Sequence, residues 1–121
     1  VLREHKNPEW LHLFKNLPTQ IYIHLMKTCS CLIGNSSSGV REGAFIGTPV
    51  VNIGTRQNKR LRTENVIQVD HNAAKIANAI RTQLKNGKYK SSDIYGDGTA
   101  GEKIANILVD CNPSIQKTIN Y

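Results

Sequence analysis

The sequence predicts an α/β fold in which a parallel sheet carries helices on both of its faces. Short apolar runs of the strand type alternate with amphipathic segments of the helix type, and this alternation is typical of parallel sheets. A loop of small polar residues over 34–39 joins one such run to the helix that follows. Because ligands of open parallel sheets bind beyond the carboxyl ends of the strands, that loop is the first candidate site.

The first half of the chain is predicted to contain two strands and two helices. A strand over residues 10–14 precedes the breaker Leu17-Pro18, and a helix over residues 19–29 follows with Thr19 as its cap. Residues 31–33 then form a short apolar strand. In the next helix, over residues 39–46, three side chains are expected to face the sheet: Val40, Ala44 and Phe45.

The second half continues the alternation with two more strands and two longer helices. Strands over residues 49–53 and 66–69 flank a polar, basic loop over residues 54–64. One helix follows residues 70–72 and stops at Gly87, and the last helix spans residues 99–110 before a tail over 112–121. The expected buried residues are Ala73, Ile76, Ala77, Ile80 and Leu84 in the first helix, and Ile104, Ile107 and Leu108 in the second.

Length and composition indicate one globular domain over residues 1–121. The chain is 39% hydrophobic and 21% charged, and it has neither an apolar run of membrane-spanning length nor a secretory signal. We therefore expect a cytoplasmic protein without a membrane partner. The chain starts at Val1, which fits either a start inside a longer polypeptide or a trimmed chain.

The net charge of +7 favours an anionic partner such as a phosphorylated small molecule or a nucleic acid. One basic group follows the strand over 49–53, and the other lies on or after the helix before Gly87 and is expected to be a solvated face. The first group comprises Arg56, Lys59, Arg60 and Arg62, and the second comprises Arg81, Lys85, Lys88 and Lys90. Few aromatic residues accompany these cations, so binding of nucleic acid is the weaker alternative.

The cysteines and histidines predict no metal site and no cofactor. Cys29, Cys31 and Cys111 lack the spacing of a redox or zinc motif, and we expect them to be small buried hydrophobic residues. The four histidines lack metal-ligand spacing as well. No catalytic set of side chains is evident either.

The loop over 34–39 has the residue types that suit a phosphate. Its small side chains leave backbone N–H groups and hydroxyls accessible where a helix begins. A serine-rich turn with a helix cap is common by itself, but here Glu42 lies on the first helical turn and Arg56 follows the neighbouring strand. Arginine can hold phosphate oxygens through two hydrogen bonds, and a carboxylate can accept both hydroxyls of a ribose. The sequence therefore predicts a site for a nucleoside diphosphate. Arg60 and Arg62 fit a ligand-binding role and a solvent-exposed role equally well.

Three segments together resemble the C-terminal half of the UDP-N-acetylglucosamine 2-epimerase family. They are Gly34-Asn35-Ser36-Ser37-Ser38-Gly39-Val40-Arg41-Glu42, then Gly47-Thr48-Pro49-Val50-Val51-Asn52-Ile53-Gly54-Thr55-Arg56-Gln57, then Glu64-Asn65-Val66-Ile67. The form Asn52-Ile53-Gly54-Thr55-Arg56-Gln57 is closer to the hydrolysing branch, and Ile94-Tyr95-Gly96-Asp97-Gly98 is similar to that branch near its end. The resemblance covers most of residues 14–110.

The resemblance implies two Rossmann-like domains in the glycosyltransferase-B arrangement, of which this chain is the UDP-binding C-terminal one. It implies that Ser36 and Ser37 hold the diphosphate, Glu42 the ribose hydroxyls and Arg56 the phosphate end, with the uracil near the Leu17-Pro18 backbone. The complete set of expected UDP-binding residues is Asn35, Ser36, Ser37, Glu42, Arg56, Gln57 and Arg60. The hydrolysing enzymes eliminate UDP across the C1–C2 bond of the sugar and add water to the glycal, giving N-acetylmannosamine for synthesis of sialic-acid-type sugars.

The chain departs from this family pattern in two respects. Lys59 occupies a position where the family usually has glycine. The family's acid–base carboxylates and helper histidine belong to segments absent from this sequence, so we expect the chain alone to lack turnover. Its expected partners are UDP or UDP-N-acetylglucosamine and the missing N-terminal domain, with self-association left open. The alternatives are a non-catalytic nucleotide-binding fragment and another nucleotide-sugar enzyme of the same fold.

Overall fold

Three parallel strands form the centre of the molecule, for which a computed structural model describes residues 8–112. They are β1 (Leu32–Gly34), β2 (Val50–Ile53) and β3 (Val66–Val69), in the spatial order β1-β2-β3. Ile33 pairs with Val51, and Val51 pairs with Ile67. Because all three strands run in the same direction, the loops after Gly34, Ile53 and Val69 leave the sheet at one edge.

Within residues 8–112, five helices accompany the sheet. They are α1 (Thr19–Thr28), α2 (Ser37–Val40), α3 (Glu42–Ile46), α4 (Ala73–Asn86) and α5 (Ala100–Asp110). The three strands, the helix α1, the long α4 and the basic loop between β2 and β3 confirm the predicted α/β class and most of the predicted order. None of the helices in residues 8–112 combines the length and the apolar character needed to cross a bilayer.

The core lies where α2 and α4 pack against β2, with α1 packed against α3. Its buried apolar residues are Met26, Val40, Ala44, Val50, Val51 and Ala79. A Cβ atom on Gly39 would lie 3.0 Å from Val50 Cγ1 and 3.3 Å from Leu32 Cδ2. Glycine at this position therefore allows α2 to approach the sheet directly after the small polar loop.

A buried amide links α4 to the amino ends of β2 and β3. Gln83 is fully buried, and its Nε2 donates to the carbonyl oxygens of Val50 and Asn65, each at 2.8 Å. The Tyr89 hydroxyl donates to Gln83 Oε1 at 2.8 Å. The amide is thus fully used, as buried polar groups must be if their burial is not to destabilise the fold.

The predicted strand over residues 10–14 is wrong. The segment is irregular, its Leu11 N–H donates to the Pro8 carbonyl, and Trp10 and Phe14 are 74% and 65% exposed. The apolar composition suggested a strand, but a strand requires a neighbour with which to exchange backbone hydrogen bonds. No described element pairs with this segment.

The predicted helix over residues 39–46 is two short helices with a bend at Arg41. Val40 and Ala44 are buried as predicted, whereas Phe45 points outward and is 52% exposed. The bend brings both Gly39 and Gly43 against the Val50 side chain, which turns the Phe45 position away from the sheet.

The predicted buried faces of α4 and α5 also need correction. Ala73 and Leu84 are exposed, and the fully covered residues of α4 are Ala79 and Gln83. In α5 every residue is exposed, including Ile104, Ile107 and Leu108, because few described residues lie against that helix.

Three smaller predictions change as well. Pro18, not Thr19, occupies the N-cap position of α1. Cys29 and Cys31 are half-buried while Cys111 is exposed, so the cysteines are not uniformly buried. The predicted tail falls almost entirely on residues 113–121, which lie outside the described residues.

Candidate functional site

The loop after β1 carries a chain of hydroxyl groups that reaches α1. We call residues 35–38 the serine loop. Ser36 caps α2 by accepting the Ser38 N–H at 3.3 Å, and its Oγ lies 2.8 Å from Ser38 Oγ. Ser38 Oγ in turn lies 2.8 Å from the Tyr22 hydroxyl. A hydroxyl can act as donor or acceptor by rotating its proton, so these hydroxyl groups can donate to a bound anion.

The helix that begins in the serine loop has only 4 residues, and α3 after the bend has 5. A helix dipole grows from many aligned peptide units, so each short helix supplies only a small field. The anion-binding capacity of this loop therefore resides in its hydroxyls and unpaired backbone N–H groups.

A side-chain hydrogen bond joins the serine loop to the loop after β2. Gln57 is 3% exposed, and its Nε2 donates to the Asn35 carbonyl oxygen at 2.8 Å. The residue before it, Arg56, is exposed. The structure thus places the predicted arginine loop beside the predicted serine loop at one edge of the sheet.

Arg56 and Arg60 differ from Arg62 in their contacts. Arg62 Nη1 donates to Gln68 Oε1 at 3.0 Å, which anchors it to β3. The guanidinium groups of Arg56 and Arg60 are exposed and make no hydrogen bond or ion pair within residues 8–112. These two cations are therefore available to an anionic ligand.

Glu42 is the first residue of α3 and has an unused acceptor. Its Oε2 is buried and finds no hydrogen-bond donor among the described residues. Buried carboxylate oxygens are normally paired, so an unpaired one marks a place where a donor from outside the chain would fit. Glu42 also lines a groove of about 550 Å³ with Arg41, Phe45 and Tyr95.

The third strand contributes to the same edge. Gly54 follows β2 with φ +80°, and a Cβ atom on it would lie 2.8 Å from His71 Nε2. His71 follows β3, so its imidazole covers the backbone that leads into Arg56. Glycine at position 54 is favoured by the positive φ, and the exposed His71 side chain lies close above it.

The turn after the groove is organised by Asp97. Thr99 donates both its hydroxyl and its backbone N–H to Asp97 Oδ1, at 2.6 and 2.9 Å, and Lys103 Nζ lies 3.2 Å from Oδ2. These hydrogen bonds, led by that of the Thr99 hydroxyl, lower the pKa of Asp97 from 3.8 to about 2. The carboxylate therefore remains charged at neutral pH and fixes the start of α5.

Three side chains at this edge were not among the predicted ligands. Tyr22 belongs to the predicted helix over 19–29, Ser38 lies in the predicted phosphate loop without an assigned role, and His71 is one of four histidines without metal-ligand spacing. Their roles depend on contacts between segments that are 16 or more residues apart, as in the Tyr22–Ser38 pair. Within residues 8–112, no group of three metal-ligating side chains comes together.

Comparison with known proteins gives three informative relatives. The first, a UDP-N,N'-diacetylbacillosamine 2-epimerase (hydrolyzing) from Legionella pneumophila, is 36% identical over 108 residues, which are 89% of this chain and 29% of the relative. A GDP/UDP-N,N'-diacetylbacillosamine 2-epimerase (hydrolyzing) from Campylobacter jejuni is 51% identical over 67 residues, 55% of this chain and 17% of the relative. A UDP-N-acetylglucosamine 2-epimerase from Neisseria meningitidis is 30% identical over 98 residues, 78% of this chain and 26% of the relative.

The chain thus aligns with less than a third of the length of each of these relatives. The family model for UDP-N-acetylglucosamine 2-epimerase matches residues 1–109, which is most of the chain. The chain therefore belongs to the UDP-N-acetylglucosamine 2-epimerase family.

Proposed function

We propose that this chain binds the UDP portion of a nucleotide sugar for a hydrolysing 2-epimerase. The observation that carries the proposal is the Gln57–Asn35 hydrogen bond of 2.8 Å, because it brings the serine loop and the Arg56 loop to one edge of the sheet. A diphosphate requires hydroxyl or N–H donors together with a cation, and these two loops offer both.

Each proposed contact follows from the chemistry of the side chain. Ser36 and Ser37 donate to the diphosphate, and Arg56 neutralises it from the neighbouring loop. The unpaired Oε2 of Glu42 accepts from the ribose hydroxyls. Asn35 and Arg60 border the phosphates, and the backbone at Leu17-Pro18 borders the uracil.

The proposed parent reaction breaks the bond between the sugar C1 and the UDP oxygen. A base removes the proton on C2, UDP leaves with the bonding electrons, and water then adds to the resulting glycal with inversion at C2. The word "hydrolyzing" in the names of two relatives supports assignment to the hydrolysing branch of the family. Positioning and charge neutralisation of the departing UDP are the contributions that this chain can make.

The isolated chain is expected to bind without turnover. It aligns with 17–29% of the length of the three relatives, and the described side chains at its candidate site are all assigned here to binding. The sugar is proposed to be a 2-acetamido sugar. UDP-N-acetylglucosamine is the first candidate, and the names of two relatives favour N,N'-diacetylbacillosamine as the second.

Calorimetric titration of UDP into the purified chain tests the proposal, with uridine and AMP as comparison ligands. We expect UDP to bind more tightly than uridine, because only UDP carries the diphosphate, and more tightly than AMP, because the base and the second phosphate both differ. Equal affinity for UDP and AMP, or no heat with UDP while the chain is folded, would contradict it. Steeply salt-dependent binding of RNA with no preference for UDP would favour the nucleic-acid alternative.

A further inference from the structure

We propose that Gln57 is a positioning residue that clamps the serine loop to the Arg56 loop, so that hydroxyls and guanidinium meet the diphosphate together. This inference rests on the proposed function and changes the expectation that Gln57 contacts UDP itself. The side chain is 3% exposed, whereas its neighbour Arg56 is exposed, so the two point to opposite sides of the same turn.

The backbone around Gln57 is built to hold this arrangement. The Asn58 N–H donates to the Thr55 carbonyl at 2.9 Å, and the Arg60 N–H donates to the Gln57 carbonyl at 3.3 Å. These two successive turns fix the loop as a unit. Gln57 Nε2 then connects that unit to Asn35, which is 22 residues away in the chain.

The orientation of the Gln57 amide is set by this single bond. Only the nitrogen can donate to the Asn35 carbonyl, and Oε1 is left buried without a partner among the described residues. The bond to Asn35 therefore decides which way the buried amide is turned.

The clamp acts locally because its acceptor lies at the surface. Asn35 is exposed, so its carbonyl can bond to water when Gln57 Nε2 is removed. Loss of the clamp should therefore release the serine loop without unfolding the sheet. The ribose acceptor Glu42 lies beyond α2 on another helix and should be affected less.

Two substitutions at Gln57 and one control test this role. Gln57→Met fills the same space without a donor, and Gln57→Asn keeps the amide but is one methylene too short to reach Asn35. Asn58→Met is the matched control, because Asn58 is the exposed neighbour and its side chain makes no hydrogen bond within the described residues. UDP and uridine affinities are measured by calorimetry, and backbone exchange is measured by NMR without ligand.

We expect both Gln57 variants to lose UDP affinity by about five- to tenfold, the size of one hydrogen bond, while uridine changes by less than about twofold. The hydrogen-bonded amides of Ser38 and Arg41 should exchange faster in the ligand-free variants, while those in the middle of α4 stay unchanged. Asn58→Met should match the unsubstituted chain in both measurements.

Unchanged exchange of the Ser38 and Arg41 amides, or equal loss of UDP and uridine with faster exchange in α4, would overturn the clamp. If the unsubstituted chain did not bind UDP, the proposed function would fail. The ligand-free exchange comparison would still decide whether Gln57 holds the serine loop.

Discussion

Arg56 and Glu42 are proposed to contact different parts of one nucleotide, and matched ligands can separate them. Arg56→Ala should lower the affinity for UDP by roughly 10- to 100-fold, which is the effect of losing a charge-assisted hydrogen bond. The affinity for uridine should remain nearly unchanged. Glu42→Gln should lower the affinities for UDP and for uridine by similar factors, because both ligands carry the ribose. Calorimetric titration of both ligands into each variant gives the comparison.

Arg81→Ala is the control for charge, since Arg81 is exposed on α4 and bonds to Asn78 at 3.0 Å. If the net charge alone attracts UDP, Arg81→Ala should lose as much UDP affinity as Arg56→Ala. Equal losses of UDP and uridine in Arg56→Ala would contradict its phosphate role, and unchanged binding in Glu42→Gln would leave Glu42 as a helix-terminus charge.

Lys59 has a left-handed backbone with φ 68°, the one such non-glycine residue in the described part of the chain. It occupies the position where the resemblance leads us to expect glycine, which adopts this conformation without a steric penalty. Lys59→Gly should raise the free energy of unfolding by about 0.5–1 kcal/mol. Lys59→Ala removes the charge but keeps the strain, so chemical denaturation of the two variants should show a gain only for glycine. A gain of equal size in both would assign the effect to charge.

For single residues, the sequence is predictive where the side-chain type itself suggests a binding role. Three serines between two strands and an arginine after the next strand pointed to one edge of the sheet, and the Gln57–Asn35 bond confirms that these loops meet. Tyr22 and His71 escaped prediction because an aromatic hydroxyl and an imidazole occur in many settings. Only the folded chain shows what each one touches.

Among the elements, α4 depends on one polar side chain. Gln83→Met keeps the volume but removes the donors to Val50 and Asn65 and the acceptor for Tyr89. The Asn65 carbonyl still accepts the Val50 N–H at 2.8 Å, so the loss is that of the amide's own hydrogen bonds, and the free energy of unfolding should fall by about 1–3 kcal/mol. Leu84→Ala, on the exposed side of the same helix, should change it by less than about 1 kcal/mol. Similar losses in the two variants would contradict a special contribution of the buried amide.

The turn before α5 should respond to acid in a defined window. The folded pKa of Asp97 is depressed from 3.8 to about 2, so its stabilising effect is fully present above pH 3.8 and is lost as the pH falls through about 2. NMR titration of the Asp97 carboxyl and the Thr99 amide should give a common midpoint near the lower value. A midpoint at the ordinary value would show that the Thr99 and Lys103 contacts do not form. Asp97→Asn should abolish the Thr99 transition.

Periodicity located the helices correctly but misjudged which faces they bury. The buried face of α4 includes Gln83, and a glutamine within a helix is read as solvent-facing when hydrophobicity alone is considered. The apolar run over residues 10–14 looked like a strand because composition cannot reveal whether a partner strand exists. Short parallel strands such as β1 were predictable because continuous apolar runs between breakers suit a covered sheet.

For the molecule as a whole, the order of elements was more predictable than their packing. Alternating strands and helices imply a parallel sheet, and a parallel sheet implies that its carboxyl ends share an edge. The packing was harder to predict because burial depends on contacts between segments far apart in the sequence, such as that between Gln83 and Val50. Many apolar side chains are uncovered, among them Trp10, Phe14, Ile107 and Val109.

The central claim is that UDP binds where the serine loop and the Arg56 loop meet, and mapping of amide shifts tests it most directly. Two-dimensional NMR of the isotopically labelled chain, with and without UDP, reports which backbone amides change. We predict the largest changes in residues 35–42 and 54–57, with little change in the separate groove lined by Arg62, Lys88 and Lys90. Changes centred on that groove, or no changes in a folded chain at saturating UDP, would contradict the claim.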